Sequence, residues 1–433
     1  MIYRGLLLFI VLEYLRPTSY IPALLVLRLN SLVPLSLALG NVFSPSRVSH
    51  SEVLNERNTH VFLGLLFLIG LSVLTADVTL YSYTVFTTVL GYLLVYWVIS
   101  KQIVEMYQLK GLFKTLVLVH VVVALLNPAM FTQPDERHYL ASGFFLGDGN
   151  DFALSVNVVI PLCLFLLFDS TKIVQRMFWG LTLLFLVLCV VATQSRGGTV
   201  ALGVVCLFYW FKSDRKALTG MLAVGALMVV LVLAPPAYFQ RMNTINTTEG
   251  SAQGRIKAWN AGFRMALDHP LLGVGAGHFP VKYGAQYRLT LDTPWQTAHS
   301  IYFLILGELG FPGLALLLYF IISNIMRNAG LVREARARDP DNYGIETRLL
   351  ASTSASLLAF ATGGAFLSAI YYPHWYVIGG LVVASRGILR RMNEAKAAVV
   401  TPASPALPAV QGMRVNPAWL ARQNGRTSGV SGQ

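Results

Sequence analysis

The sequence predicts an all-α, polytopic integral membrane protein with about twelve transmembrane helices and one large outer loop that contains an amphipathic helix. Three observations predict it. Hydrophobic residues make up 55% of the 433-residue chain and charged residues 12%, with a mean hydropathy of +0.59, too little polar surface for a water-soluble globule. Apolar runs repeatedly approach the roughly 17–25 residues that cross a bilayer. Lysine and arginine alternate between rich and poor connections, the distribution that orients a membrane protein.

In order, the expected helices lie at approximately 3–16, 19–40, 60–77, 79–100, 112–130, 152–168, 177–193, 198–211, 217–235, 299–323, 349–368 and 373–388. The first run is short like a signal peptide, yet Arg16-Pro17 and a second apolar run follow it instead of a small-residue cleavage site, so it reads as a retained hairpin. Arg28 falls inside the second run and must face other helices. One set of connections holds Arg47, Arg57, Lys101, Lys110, Lys172, Arg176, Lys212, Arg215, Lys216 and the arginines from 327 to 348; the other short ones hold only Arg16, Arg137 and Arg196. An even helix count then puts both termini in the cytoplasm and residues 236–298 outside. The chain divides into N-terminal membrane helices over 1–235, the outer loop over 236–298, C-terminal membrane helices over 299–388 and a tail over 389–433. That tail, with "TPASPALPAV", reads as disordered and cytoplasmic.

The net charge of +13 lies mostly in these loops and in the tail, which argues against nucleic acid as a partner and for the bilayer itself. Cys163, Cys189 and Cys206 all sit in apolar runs and form neither a disulfide framework nor a zinc spacing. No internal repeat supports an inverted-repeat transporter.

Four constellations could carry chemistry. In "HSIYFLILGELGFPG", helical spacing puts Tyr302, Phe303, Leu306, Gly310 and Gly313 on the stripe of His299, with Glu308 opposite. The glycines would admit a neighbouring helix, and Pro312 would kink the segment. The plain reading of His299 is an interfacial histidine at a helix start; the functional one is a base at the outer mouth. In "TQSRGGTVALG", Arg196 occupies a turn that Gly197 and Gly198 ease, where a guanidinium suits a phosphate at headgroup level or merely anchors a hairpin.

In the outer loop, Ile256, Trp259, Phe263 and Leu267 recur at helical spacing, with Arg255, Lys257 and Arg264 elsewhere on the turn. This predicts an amphipathic helix on the membrane surface, capped by Ser251 and stopped at His269-Pro270, with Arg255 placed to hold a phosphate at its start. The glycine run from Gly273 to Gly277 has no preceding strand and is a poor dinucleotide loop. Residues 148–151 lack the remaining ligands of a calcium loop and read as a turn with Asp151 capping the next helix. Arg137 and His138 are candidate substrate contacts in the same connection. Glu13 and Glu308, inside apolar runs, are functional candidates or structural partners of an arginine.

These motifs carry a family resemblance. His299-Ser300, nine residues, Gly310, two residues and Gly313 resemble the signature of bacterial O-antigen ligases. With the Ser-Arg-Gly turn at 195–197, "GRIKAW" at 254–259 and "DHPLLGVGAGHF" at 268–279, the chain resembles the O-antigen ligase and polymerase superfamily. "FLGDGNDFAL", "SRGG", "SAQGR" and "AHSIYF" are most similar to the O-glycosylation ligases associated with the exosortase A system. The resemblance covers roughly residues 130–320 and implies a metal-independent glycosyltransferase, without cofactor, at the periplasmic face of the bacterial inner membrane. Its implied donor is a glycan on undecaprenyl diphosphate, and its acceptor a hydroxyl on lipid A-core, polysaccharide or protein. Carried onto matching positions, His299 is the catalytic histidine, and Arg196 and Arg255 bind the diphosphate.

A diphosphate leaving group needs an aligned hydroxyl, a base and positive charge, which agrees with the residues themselves. Arg264, His278, Arg288, Arg137 and Tyr302 are the expected substrate-binding residues, and no metal ligands are expected. A repeat-unit polymerase of the same superfamily is the alternative, and a lipid-linked sugar transporter or flippase a more distant one.

Overall fold

The computed structural model describes residues 1–27, 29–133, 140–141, 143–217, 220–221, 225, 228, 250–288, 295–340 and 343–400. Arg28 and Arg137 lie outside these residues, as does most of the helix expected at 217–235. Every regular element among the described residues is helical. In chain order these are α1 (Ile2–Leu15), α2 (Pro17–Tyr20), α3 (Leu29–Phe43), α4 (His50–Leu54), α5 (Arg57–Thr75), α6 (Thr79–Gln102), α7 (Met106–Leu125), α8 (Ala129–Thr132), α9 (Gly149–Asp169), α10 (Ile173–Ala192), α11 (Arg196–Lys212), α12 (Gly250–Asp268), α13 (Phe279–Lys282), α14 (Ile301–Arg338), α15 (Gly344–Gly364) and α16 (His374–Val400).

Among the described residues seven segments are long and apolar enough to cross a membrane: Pro22–Phe43, α5, α6, α7, α9, α10 and α14. The start of the second expected helix is divided: Pro17 opens α2, and Pro22 ends it and opens a 3-10 turn over Pro22–Leu27, ahead of α3. α15 matches an expected helix but is less apolar, since Ser352, Thr353, Ser354 and Ser356 lie on its buried side. Each of those hydroxyls donates to a backbone carbonyl, which makes them compatible with a dry interior.

α9 is the central element. It is apolar all round, and nearly every residue from Asp151 to Cys163 is buried, as expected of a helix enclosed by others. α7, α10, α11 and α15 pack around it. Its start is fixed by Asp148, whose side chain accepts from the amides of Asn150 and Asp151 at 2.7 and 3.2 Å. The cap is thus Asp148 and not Asp151.

α14 is the second organising element. Its dihedral angles depart from helical values at Gly310, where φ is 66° and ψ −165°. α12 packs along the α14 segment before this break.

Candidate functional site

The break in α14 explains the glycines, the proline and the glutamate of "GELGFPG". In an uninterrupted helix the carbonyls of Gly307 and Glu308 would accept from residues 311 and 312. Pro312 has no N–H, and the Phe311 amide donates instead to the Pro270 carbonyl at 3.0 Å. Both freed carbonyls are taken by the glycine-rich loop: Val274 N–H donates to Gly307 O at 2.9 Å and Gly275 N–H to Glu308 O at 3.0 Å. Loop and helix therefore exchange backbone hydrogen bonds. Only glycine suits two of the positions. At Gly310 (φ 66°) a Cβ would run into the Pro270 carbonyl, and at Gly273 (φ 59°) into the Glu308 backbone.

The Glu308 side chain completes the clamp. It is 1% exposed and accepts from Phe279 N–H through Oε1 at 2.9 Å, and from Gly277 N–H and the Tyr371 hydroxyl through Oε2 at 2.9 and 2.7 Å. Burial, then the carboxylate itself, hold the Tyr371 phenol well above its usual range, so it remains a donor. Three donors converge on one group that can only accept. The partners of Glu308 are thus loop amides and a tyrosine, not an arginine. Glu13 likewise accepts from the Tyr92 hydroxyl at 2.9 Å.

His299 is not on the helix that follows it. Ser300 is the N-cap of α14, and His299 precedes it in a left-handed conformation with φ 49°. The stripe linking His299 to Gly310 and Gly313 therefore does not exist, and Gly310 meets a loop where the spacing suggested a helix. His299 is half-buried, and its N–H donates to the Ser368 hydroxyl at 2.9 Å. Thr297 shares a hydrogen bond with the same hydroxyl at 2.8 Å. One residue further back, Gln296 donates to Gly254 O at 2.9 Å and to the Tyr283 hydroxyl at 3.0 Å.

Arg255 is the neighbour of Gly254 in the first turns of α12 and is half-buried. Arg196 opens α11, behind the N-cap Ser195, whose side chain accepts from Gly198 N–H at 3.0 Å. The turn before α11 is made by Gln194 (φ 51°); a Cβ on Gly197 would touch Phe366 Cβ at 3.0 Å, and one on Gly198 would meet Ala153 at 2.6 Å. These glycines let neighbouring elements close in and do not form the turn. Phe366 and Ser368 belong to the same connection, residues 365–373. The segment 296–299 thus reaches α12 beside Arg255 on one side and the connection that touches Gly197 on the other.

The remaining candidates are placed differently. His278 is fully buried; its Nε2 accepts from Val78 N–H at 3.1 Å, which leaves Nδ1 to donate to Ala276 O at 3.0 Å. It fastens the glycine-rich loop to the start of α6. The Tyr302 hydroxyl donates to Ala361 O at 2.9 Å and ties α14 to α15. Arg264 is exposed on α12, and Arg288 is half-buried after a single π-turn over Tyr283–Tyr287. Tyr287 in that turn donates to Asp268 at 2.7 Å; burial first, then that carboxylate, push its phenol up to about 12.

α12 does not present the single apolar face its periodicity suggests. Ala258, Ala261, Gly262, Met265 and Ala266 are its buried residues, whereas Ile256, Phe263 and Leu267 point away from the protein. Trp259 stacks on Phe303 with centroids 5.3 Å apart. Among the described residues the helix spans Gly250–Asp268, so Ser251 lies within it and does not cap it.

Sequence reasoning missed Ser368, Tyr371 and Tyr372. Tyr372 donates to Asp151 at 3.2 Å, bringing the start of α9 to the same connection. Their segment, "LSAIYYPH", carries no periodicity or charge that sets it apart. Among the described residues no group of three or more His, Cys, Asp or Glu is arranged to hold a metal ion.

Residues 181–318 match the family model described as O-Antigen ligase. The matched stretch contains Arg196, Arg255 and His299, and it is in this stretch that the chain is similar to O-antigen ligases. No curated protein matches the chain.

Proposed function

We propose that the protein is an O-antigen ligase-like glycosyltransferase, which moves a glycan from undecaprenyl diphosphate to an acceptor hydroxyl at the periplasmic face of the bacterial inner membrane. The observation that carries the proposal is the tethering of residues 296–299 to both Gly254 and Ser368, within the stretch similar to O-antigen ligases. That tethering brings the segment of His299 to the elements that carry Arg255 and Arg196.

In the proposed reaction the acceptor hydroxyl attacks the anomeric carbon of the donor sugar. A new C–O bond forms as the bond from that carbon to the diphosphate oxygen breaks, and undecaprenyl diphosphate leaves with the electron pair. His299 takes the hydroxyl proton as general base. Arg196 and Arg255 meet the charge growing on the diphosphate, so that no metal is required. Arg196 opens its helix, where backbone N–H groups add to the pull on an anion, and Arg255 lies in the second turn of α12. Arg264 and Arg288 are proposed to contact the glycan. His278 and Tyr302 are left out of this reading, because their polar atoms hold the fold together. The outward stripe of Ile256, Phe263 and Leu267 fits α12 resting against lipid, where a polyprenyl chain would enter.

The test is transfer from purified undecaprenyl-diphosphate glycan in detergent with a chelator present, products being read by mass. Loss of transfer in both His299→Ala and Arg196→Ala, with each variant folded, is expected. Normal transfer by folded His299→Ala would remove the base from the mechanism. A product ladder would identify the repeat-unit polymerase, a single adduct the ligase, and no transfer by the folded wild type with any acceptor would favour the transporter or flippase.

A further inference from the structure

The connection 365–373 touches more of the candidate site than any motif that the sequence singled out. Its Phe366 lies against Gly197, beside Arg196. Its Ser368 holds the His299 amide and Thr297. Tyr371 reaches the Glu308 clamp at 2.7 Å, and Tyr372 reaches Asp151 at the start of α9 at 3.2 Å. Between these contacts Ala369 and Ile370 are fully buried, and short-range backbone bonds from Ala365, Phe366, Leu367 and Tyr372 tighten the chain. A segment pinned to four separate elements and plugged by two buried residues has little freedom to shift.

His299 needs such support. A left-handed backbone is uncommon for any residue other than glycine, histidine being among the side chains that adopt it more often, and it persists where surrounding contacts hold it. Here one hydroxyl bonds residues on both sides of Ala298, itself fully buried. The turn that sets where the imidazole leaves the backbone is therefore defined by Ser368.

We infer that residues 365–373 form a positioning scaffold for His299, with Ser368 as the positioning residue that fixes the histidine's backbone and Tyr371, held by Glu308, as the strut that fixes Ser368. Ser368 acts through His299 and not on the substrate. The inference rests on the proposed role of His299 as base. Its physical content is separable from that role, since the position of the imidazole can be read without any transfer.

The experiment compares the full-length wild type with Ser368→Ala, Ser368→Thr and Tyr371→Phe. Ser368 is half-exposed, so loss of its hydroxyl opens no cavity and the Ala variant is expected to fold. Two readouts are taken: kcat and KM with the undecaprenyl-diphosphate glycan, and site-resolved labelling of histidines by diethyl pyrocarbonate, with exposed His60 and His269 as internal standards. Misplacing a reacting group by about 1 Å costs on the order of 100-fold in rate. Ser368→Ala is accordingly expected to lower kcat about 10- to 100-fold with KM within about twofold, Ser368→Thr to recover most of that loss, and Tyr371→Phe to fall between.

Labelling of His299 relative to the standards should change at least about threefold in Ser368→Ala and return towards wild type in Ser368→Thr. An unchanged His299 labelling rate in Ser368→Ala overturns the scaffold, whatever happens to kcat, and so does a Thr variant no closer to wild type than the Ala variant. A wild type that labels as expected but transfers no glycan would sink the proposed function and leave the scaffold standing.

Discussion

Removing the Glu308 carboxylate should cost more stability than any other single truncation near the site. The side chain is itself 1% exposed and is acceptor for two backbone amides and a phenol, of which Phe279 is buried and Gly277 and Tyr371 are half-buried. A buried donor left without a partner costs about 1–3 kcal/mol. Three of them set a ceiling near 9 kcal/mol, and relaxation with entry of a water into the vacated space brings the expected loss for Glu308→Ala to about 3–5 kcal/mol. Glu308→Gln is the sharper test. Glutamine keeps one acceptor oxygen but turns an NH2 group towards one of the donors, so about 1–3 kcal/mol should be lost despite nearly equal volume.

The assay is reversible unfolding of the purified protein in mixed micelles followed by tryptophan fluorescence, together with amide exchange at Gly277 and Phe279. Both amides should exchange faster in the variants. If Glu308→Gln matched wild type in both measurements, the convergence of three donors on one acceptor would be wrong. A Glu308→Ala loss below about 1 kcal/mol would refute the magnitude argued from burial.

The other predictions concern the same junctions. Gly310→Ala combines a backbone conformation nearly restricted to glycine with a Cβ driven into the Pro270 carbonyl, and should cost about 2–4 kcal/mol in the same unfolding assay; a loss below 1 would show that the break can be rebuilt without the loop. His278→Phe keeps a ring of similar size but strands the Val78 amide, while the Ala276 carbonyl keeps its bond from the Ser82 hydroxyl, so a loss of about 1–3 kcal/mol and faster exchange at Val78 are expected.

Asp77 in the connection between α5 and α6 lies 2.6 Å from Lys282, whose hydrogen bond and charge hold its carboxyl below the usual range. Because the folded value is the lower one, any stabilisation is complete above the unfolded carboxylate range near 4 and is lost as pH falls through the folded value. The difference in Tm between wild type and Asp77→Asn should be small, constant above about pH 5 and shrinking below about pH 4; a difference that grows on acidification would reverse the assignment.

Local composition determined a good deal of this protein. The expected helices at 79–100, 152–168 and 177–193 fall within a few residues of Thr79–Gln102, Gly149–Asp169 and Ile173–Ala192, because apolar length and the charges at the ends act within each segment. The motifs around His299, Arg196 and Arg255 stood out for the same reason, as polar groups set into an oily chain. What each group faces is another matter. Ile256, Phe263 and Leu267 on one side of α12 and the alanines on the other are both tolerable next to hydrocarbon, so hydropathy does not say which side meets protein.

Tertiary structure alone decided that Gly310 meets a loop, that His299 stands outside its helix, and that Ser368 reaches the His299 amide and Tyr371 the Glu308 carboxylate. Each of those outcomes depends on a hydrogen bond between residues 29 to 71 positions apart. In an apolar interior a freed carbonyl or amide must find a partner wherever the fold brings one, and no pattern of neighbours along the chain records where that is.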